Sequence, residues 1–175
     1  MAKPLFYLIF MAMLVFTGMT MSQNFLLSWD NTACSFAEVS EMDRETLRID
    51  ISMLSASINK ERNTLEVALK NNGQAALSSF EQWDCIIQYY DYTGDYRTIW
   101  FPYVAGEPDD NQWTVKGIYL SAAEETPETL EPGILNPGEE MIIQVELNPV
   151  AGKHTTNLAI ISTPKGVTSS IHFQA

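Results

Sequence analysis

From Pro4 to Met21 the chain is almost wholly apolar (PLFYLIFMAMLVFTGMTM); Ser22-Gln23-Asn24 interrupts it briefly, and Phe25, Leu26 and Leu27 resume it. No charged residue stands between Lys3 and Asp30. A helix of about 20 residues crosses a hydrocarbon core of roughly 30 Å, so the pattern predicts a membrane-spanning helix within 1–29 that meets lipid through residues 4–27. Lys3 and the α-amino group precede the run, Asp30, Glu38, Glu41 and Asp43 follow it, and Trp29 sits where an interfacial aromatic belongs. Basic flanks stay inside. The expected arrangement is a single pass through the cytoplasmic membrane, N-terminus inside and C-terminal domain outside. A secretory signal cut near Thr20-Met21-Ser22 is the competing reading. Against it, the run exceeds the roughly 7–15 residues of a signal core and Ala-x-Ala is missing.

After the run the period changes twice. Ala33, Phe36, Ala37 and Met42 recur at loosely helical spacings with no Pro or Gly between them, which predicts a helical stalk over 30–46. From Leu47 onward Leu47, Ile49, Ile51 and Met53 alternate with Arg48, Asp50 and Ser52, the pattern of a strand with one buried face. Leu65 to Leu69 makes a second strand, closed by Asn71-Asn72-Gly73, where positive φ is tolerated. Phe80 to Tyr92 follows with Trp83, Cys85, Ile87 and Tyr89 on one face, and Thr93-Gly94-Asp95 turns it. Further strands are expected at Arg97 to Tyr103, Trp113 to Leu120, Met141 to Leu147, Asn157 to Thr163 and Val167 to Phe173. Short strands with turn signals between them and no later helical pattern predict an all-β domain over 47–175, an immunoglobulin-like antiparallel sandwich. Ser121 to Glu140, rich in Pro and Glu, is expected as a long, acidic, exposed loop.

Charge narrows the partners. The net charge of −12 and the sequence pI near 4.4 disfavour nucleic acid and anionic lipid headgroups. The two cysteines, Cys34 in the connector and Cys85 in a core strand, read as unpaired thiols, the second buried, with a single bridge between them as the alternative in an oxidising exterior. His154 and His172 share no metal-ligand spacing with a cysteine or carboxylate, and no phosphate loop, Gly-x-Ser-x-Gly elbow or His-Glu-x-x-His helix is present. A non-enzymatic protein without cofactor or metal is expected. Glu107, Asp109, Asp110 and Asn111 gather oxygen ligands without the spacing of a calcium loop, so a solvated turn is expected there.

Aromatics are dense from Tyr89 to Trp113, including Tyr90, Tyr92, Tyr96, Trp100, Phe101 and Tyr103. Most alternate as core residues do, but inward and outward positions are not buried together. Trp100, Tyr103 and Trp113 are the candidate partner-binding residues.

The order of features resembles a known family. A hydrophobic helix leads into a small sandwich. Val67-Ala68-Leu69-Lys70-Asn71-Asn72-Gly73 ends an early strand and is followed by Ala76, Leu77 and Phe80; Leu135-Asn136-Pro137-Gly138-Glu139 opens a late one, and the chain closes on Ile161-Ser162-Thr163-Pro164-Lys165-Gly166-Val167. This resembles the archaeal flagellar (archaellum) accessory proteins F and G, the stator components, and more broadly pilin-like surface proteins. The resemblance implies a membrane-anchored structural component of an archaellum- or type IV pilus-like machine. Its outer sandwich would bind a protein partner in the envelope or filament, with oligomerisation left open. Met1-Ala2-Lys3-Pro4 departs from filament subunits, since no Gly or Ala follows a basic cluster for a prepilin-type peptidase. A secreted or tethered module for envelope glycans, built on the aromatic cluster, is the alternative.

Overall fold

A computed structural model describes residues 7–22, 46–123, 126–127 and 131–175. It divides into two compact units, residues 1–44 and 45–175. In the first, residues 7–22 are α-helical. Among the described residues no helix is long and apolar enough to cross a membrane. The flanks of the expected span, nearly all of the expected stalk, Trp29 and Cys34 lie outside the described residues.

The second unit is two antiparallel sheets. Its strands are β1 (Ile51–Ile58), β2 (Thr64–Asn71), β3 (Asp84–Tyr90), β4 (Tyr96–Phe101), β5 (Trp113–Ser121), β6 (Thr126–Pro127), β7 (Glu140–Glu146), β8 (Thr156–Ser162) and β9 (Thr168–Gln174). One sheet runs β1-β2-β7-β5-β6 and the other β4-β3-β8-β9. Period-two alternation turns Leu65, Val67 and Leu69 of β2, Met141, Ile143 and Val145 of β7, and Cys85, Ile87 and Tyr89 of β3 into one core. Trp113, Phe101 and Phe173 fill the space between the sheets. Links between the sheets at their margins include Met53 N donating to Ser169 Oγ at 3.1 Å and Tyr103 bridging Trp113 in parallel.

Three expectations change. The first strand begins at Ile51 rather than Leu47, whose side chain is 84% exposed in a turn. The alternation there breaks at a bulge between Met53 and Ser55, which puts Leu54 outside. Gly73 has no positive φ. It is required by proximity, because a Cβ there would lie 2.5 Å from Arg48 O and 2.6 Å from Asp50 N. The connection from Ser121 to Glu140 is not exposed throughout. Leu135 has no accessible surface and exchanges two backbone hydrogen bonds with Leu77, at 3.0 and 2.7 Å.

Asn71 holds these pieces together. Its Nδ2 donates to Ala75 O (2.8 Å) and Leu135 O (3.0 Å), and its Oδ1 accepts from Gly73 N (3.0 Å). Its backbone donates to Glu139 O and accepts from Gly138 N. Each buried group stripped of its partner costs about 1–3 kcal/mol. Asn71→Ala is therefore expected to lower unfolding free energy by at least about 2 kcal/mol in denaturant titration. Asn72→Ala, which removes one exposed bond to Ser52 Oγ, is expected to cost less than about 1 kcal/mol.

Candidate functional site

The two outer faces of the sandwich differ in chemistry. On the five-stranded sheet, outward positions include ion and polar pairs, Lys70 with Glu140 at 3.2 Å, Lys116 with Glu66 at 2.6 Å, and Thr64 Oγ1 donating to Glu146 at 3.2 Å, alongside the exposed Leu54 and Leu120. Such a face is satisfied in water.

On the four-stranded sheet the register builds an apolar band instead. Trp100 lies beside Ile86, Ile86 beside Ile160, and Ile160 beside Ser170. The next row is Thr98, Gln88, Leu158 and His172, and a third begins with Tyr96 beside Tyr90. Trp100 is 55% exposed, Tyr96 57% and Tyr90 42%, while Ile86, Leu158 and Ile160 are half-buried. No lysine or arginine occupies an outward position of these four strands, and Asp84 is their one carboxylate. Hydrogen bonds set the aromatic planes. Trp100 Nε1 donates to Asp84 Oδ1 at 2.8 Å, Tyr96 OH donates to Gln88 Oε1 at 3.0 Å, and the Tyr90 and Tyr96 rings meet at 5.0 Å, tilted by 56°. Oriented aromatics at half exposure offer area to a partner at little further entropic cost.

The β3–β4 hairpin holds this band in place through a buried carboxylate. Asp91 Oδ1 accepts from Thr93 N (2.8 Å), Thr93 Oγ1 (2.5 Å) and Asp95 N (3.0 Å), and Oδ2 accepts from Arg97 Nε (2.6 Å). The Thr93 hydroxyl foremost, with Arg97 and the turn amides, holds the Asp91 carboxyl well below the usual carboxylate range, against the opposing effect of its burial. Beneath the hairpin, burial pushes the Tyr89 phenol up to about 12, and its OH donates to Pro149 O at 2.9 Å. Burial also pushes the Cys85 thiol far up, which makes it unreactive.

The three residues expected to bind a partner are not brought together. Trp100 is presented on the outer face, whereas Trp113 has no accessible surface and is a core residue with none to offer. Tyr103, half-buried, packs edge-on against Trp113 with centroids 5.0 Å apart and lines a cleft of about 330 Å³ with Phe80 and Val115. Parity separates Trp100 from Tyr103: Ile99, Phe101 and Tyr103 share the inward side of β4 and its continuation, and Trp100 has the opposite parity. Sequence reasoning missed Ile86, Leu158 and Ile160. Their signal is aliphatic residues on both parities, as in Cys85-Ile86-Ile87 and Leu158-Ala159-Ile160-Ile161. Among the described residues no group of His, Cys, Asp or Glu is placed to hold a metal. Asp109 to Asn111 form a turn in which Asp110 and Asn111 accept hydrogen bonds from Asn148.

No protein-family model matches this chain, and no curated protein does. Solved structures do. The archaellum periplasmic stator protein FlaG from Sulfolobus acidocaldarius matches with a TM-score of 0.52 at 20% identity, over 71% of this chain and 99% of that one. The archaellum periplasmic stator complex of FlaF and FlaG from the same organism matches with 0.51 at 21%, over 70% and 87%. The archaeal flagellum of Methanospirillum hungatei strain JF1 matches with 0.58 at 11%, over 95% and 89%. The resemblance read from the sequence is thus present in the structure, as a likeness of fold.

Two outcomes are expected. Asp91→Asn should lower the melting temperature at pH 7. A depressed folded pKa contributes stability that is complete above the ordinary value of about 3.9 and is lost as pH falls towards the folded value. The gap between variant and parent should therefore close only in strong acid, as read by thermal melts across pH. Iodoacetamide should leave Cys85 unmodified in the folded protein and label it after unfolding, mapped by peptide mass.

Proposed function

We propose that this chain is a non-enzymatic, membrane-anchored structural component of an archaellum- or type IV pilus-like surface machine, and that its sandwich docks a protein partner of the envelope or filament. The observation that carries the reading is an apolar, cation-free outer face on a sandwich whose fold is that of archaellum stator proteins. Strand order supports an immunoglobulin-like assignment: lettered in sequence, β1-β2-β7-β5 is an ABED sheet and β3-β8-β9 a CFG sheet, with β4 beside C. Anchoring is supported by composition. The helix over 7–22 accounts for about 24 Å at 1.5 Å per residue, and the uncharged sequence continues on both sides of it. A helix buried in lipid holds far more firmly than a single acyl chain.

Docking would use the band around Trp100, Ile86 and Ile160. A core of aromatic and aliphatic residues with charge depleted is the composition of interface centres. Glycan binding is the second reading, favoured by the exposure of Trp100 with its indole N–H held by Asp84.

The anchored reading expects the full chain to stay in the membrane pellet after alkaline extraction. Release with a new N-terminus near Gln23 would overturn it. Trp100→Ala is expected to abolish retention of purified envelope protein while changing stability by no more than about 1 kcal/mol. Retention of deglycosylated envelope protein by the parent chain supports a protein partner, and its loss on deglycosylation transfers the site to glycan.

A further inference from the structure

β4 has a strand on one side only. It pairs with β3 over Tyr96–Phe101, and no other described strand pairs with it. The direction of its backbone groups follows from bonds at its two ends. Asp91 N donates to Asp95 O, so odd positions bond across the hairpin. Tyr90 N donates to Asn157 Oδ1 and Tyr90 O accepts from Gly152 N, so even positions of β3 turn towards β8. Past β4, Pro102 O accepts from Trp113 N and Val104 N donates to Trp113 O, so even positions there turn away from β3. Alternation then aims the N–H and C=O groups of Tyr96, Thr98 and Trp100 into the open edge.

Natural sheets blunt such edges with lysines, prolines, bulges, short strands or inward charges. β1 has a bulge and is tied to Ser169, and β6 is two residues long and contains Pro127. β4 has no lysine, no proline and an unbroken register, and its one inward charge, Arg97, is neutralised by Asp91. On its outer face Tyr96 and Trp100 flank Thr98, with Asp84 bonded to Trp100 and Asp95 just before the strand. A second copy would bring a charge of −12 against −12. A cationic strand is complementary to this edge, through both the carboxylates and the aromatic faces.

We propose that β4 accepts an extended, lysine- or arginine-bearing segment of a protein partner as an added strand, with alternate cations over Tyr96 and Trp100 and beside Asp84. This rests on the docking reading above and names the chemistry of the partner. Main-chain hydrogen bonds hold the strand, and its alternate side chains are selected by charge.

The test uses the full chain in non-ionic detergent and a fluorescent peptide of alternating valine and lysine, with its valine–glutamate counterpart. The lysine peptide should bind, slow amide exchange at Tyr96, Thr98 and Trp100, and weaken with added salt. The glutamate peptide should bind at least about tenfold more weakly. Thr98→Pro removes an outward N–H and spares the β3 ladder, a placement edges tolerate, and should weaken binding roughly fivefold to tenfold. If circular dichroism shows that variant unfolded, Thr98→Lys takes its place, weakening binding by like charge. Equal binding of both peptides overturns the proposal, as does unchanged affinity in the Thr98 variant. Protection at these amides without peptide, at a dimeric mass in light scattering, assigns the edge to a second copy instead. The two readings fail separately. Envelope retention that persists in the Thr98 variant while the peptide does not bind overturns strand addition alone, whereas loss of retention in Trp100→Ala upholds docking.

Discussion

Asn71 has no accessible surface, and its carboxamide is bonded on both sides: two donors to the carbonyls of Ala75 and Leu135, one acceptor to the amide of Gly73. A buried amide left unpaired would cost more than any single apolar contact nearby contributes. The fold therefore has to bring three segments to this point: the end of β2, the crossing over 72–77, and the turn that opens β7. Once they meet, Leu77 and Leu135 pair, and β7 is delivered beside β2 in the register that buries Met141, Ile143 and Val145. Glu139 shares the arrangement, accepting the Asn136 amide at 2.7 Å across the turn. A polar group thus specifies how an otherwise interchangeable set of aliphatic strands is connected.

The same alternation that builds the core leaves two outer faces with opposite solutions to solvent. The five-stranded sheet neutralises its outward lysines with glutamates, and exposed pairs of that kind are worth little but keep the face wet. The four-stranded sheet places aliphatics at outward positions, fastens its aromatic rings by hydrogen bonds, and carries no lysine or arginine on that outer face. Stability does not explain that asymmetry, because half-exposed Ile86, Leu158 and Ile160 gain only part of their burial from the fold itself. The remainder is available to an occupant.

How much of this was legible depended on whether a feature is written in one segment or in two. Parity within a strand is local, so Trp83, Cys85, Ile87 and Tyr89 are readable as one buried face from the sequence. The sandwich class followed from the spacing of such strands. Gly73 was legible as a turn residue but for the wrong cause, since the Arg48 and Asp50 backbones that crowd it come from a segment some 25 residues earlier. Trp113 looked like its aromatic neighbours. It is enclosed because it begins β5 facing the core between the two sheets, whereas Trp100 stands at an outward position of β4. The apolar band was hidden for a related reason: Ile86 and Ile160 become neighbours through the β3–β8 register, which no local pattern encodes.

The place where the chain enters the sandwich connects its two ends of interest. Before β1 begins, Arg48 O accepts from Gln74 N and Ala75 N, and Asp50 O accepts from Asn72 N and Gly73 N, at 2.7 to 3.2 Å. These are the residues that Asn71 braces from the other side. The cluster thereby ties the incoming chain to the end of β2 and, through Leu135 and Glu139, to the turn that opens β7. Only glycine at position 73 lets the two backbones come close enough for those bonds. The motif that marked the early strand in the sequence is therefore better understood as a clasp on the incoming chain than as a reversal of direction. Asn71 and Gly73 act together there: the side chain of the first accepts the amide of the second, whose missing Cβ admits the incoming backbone.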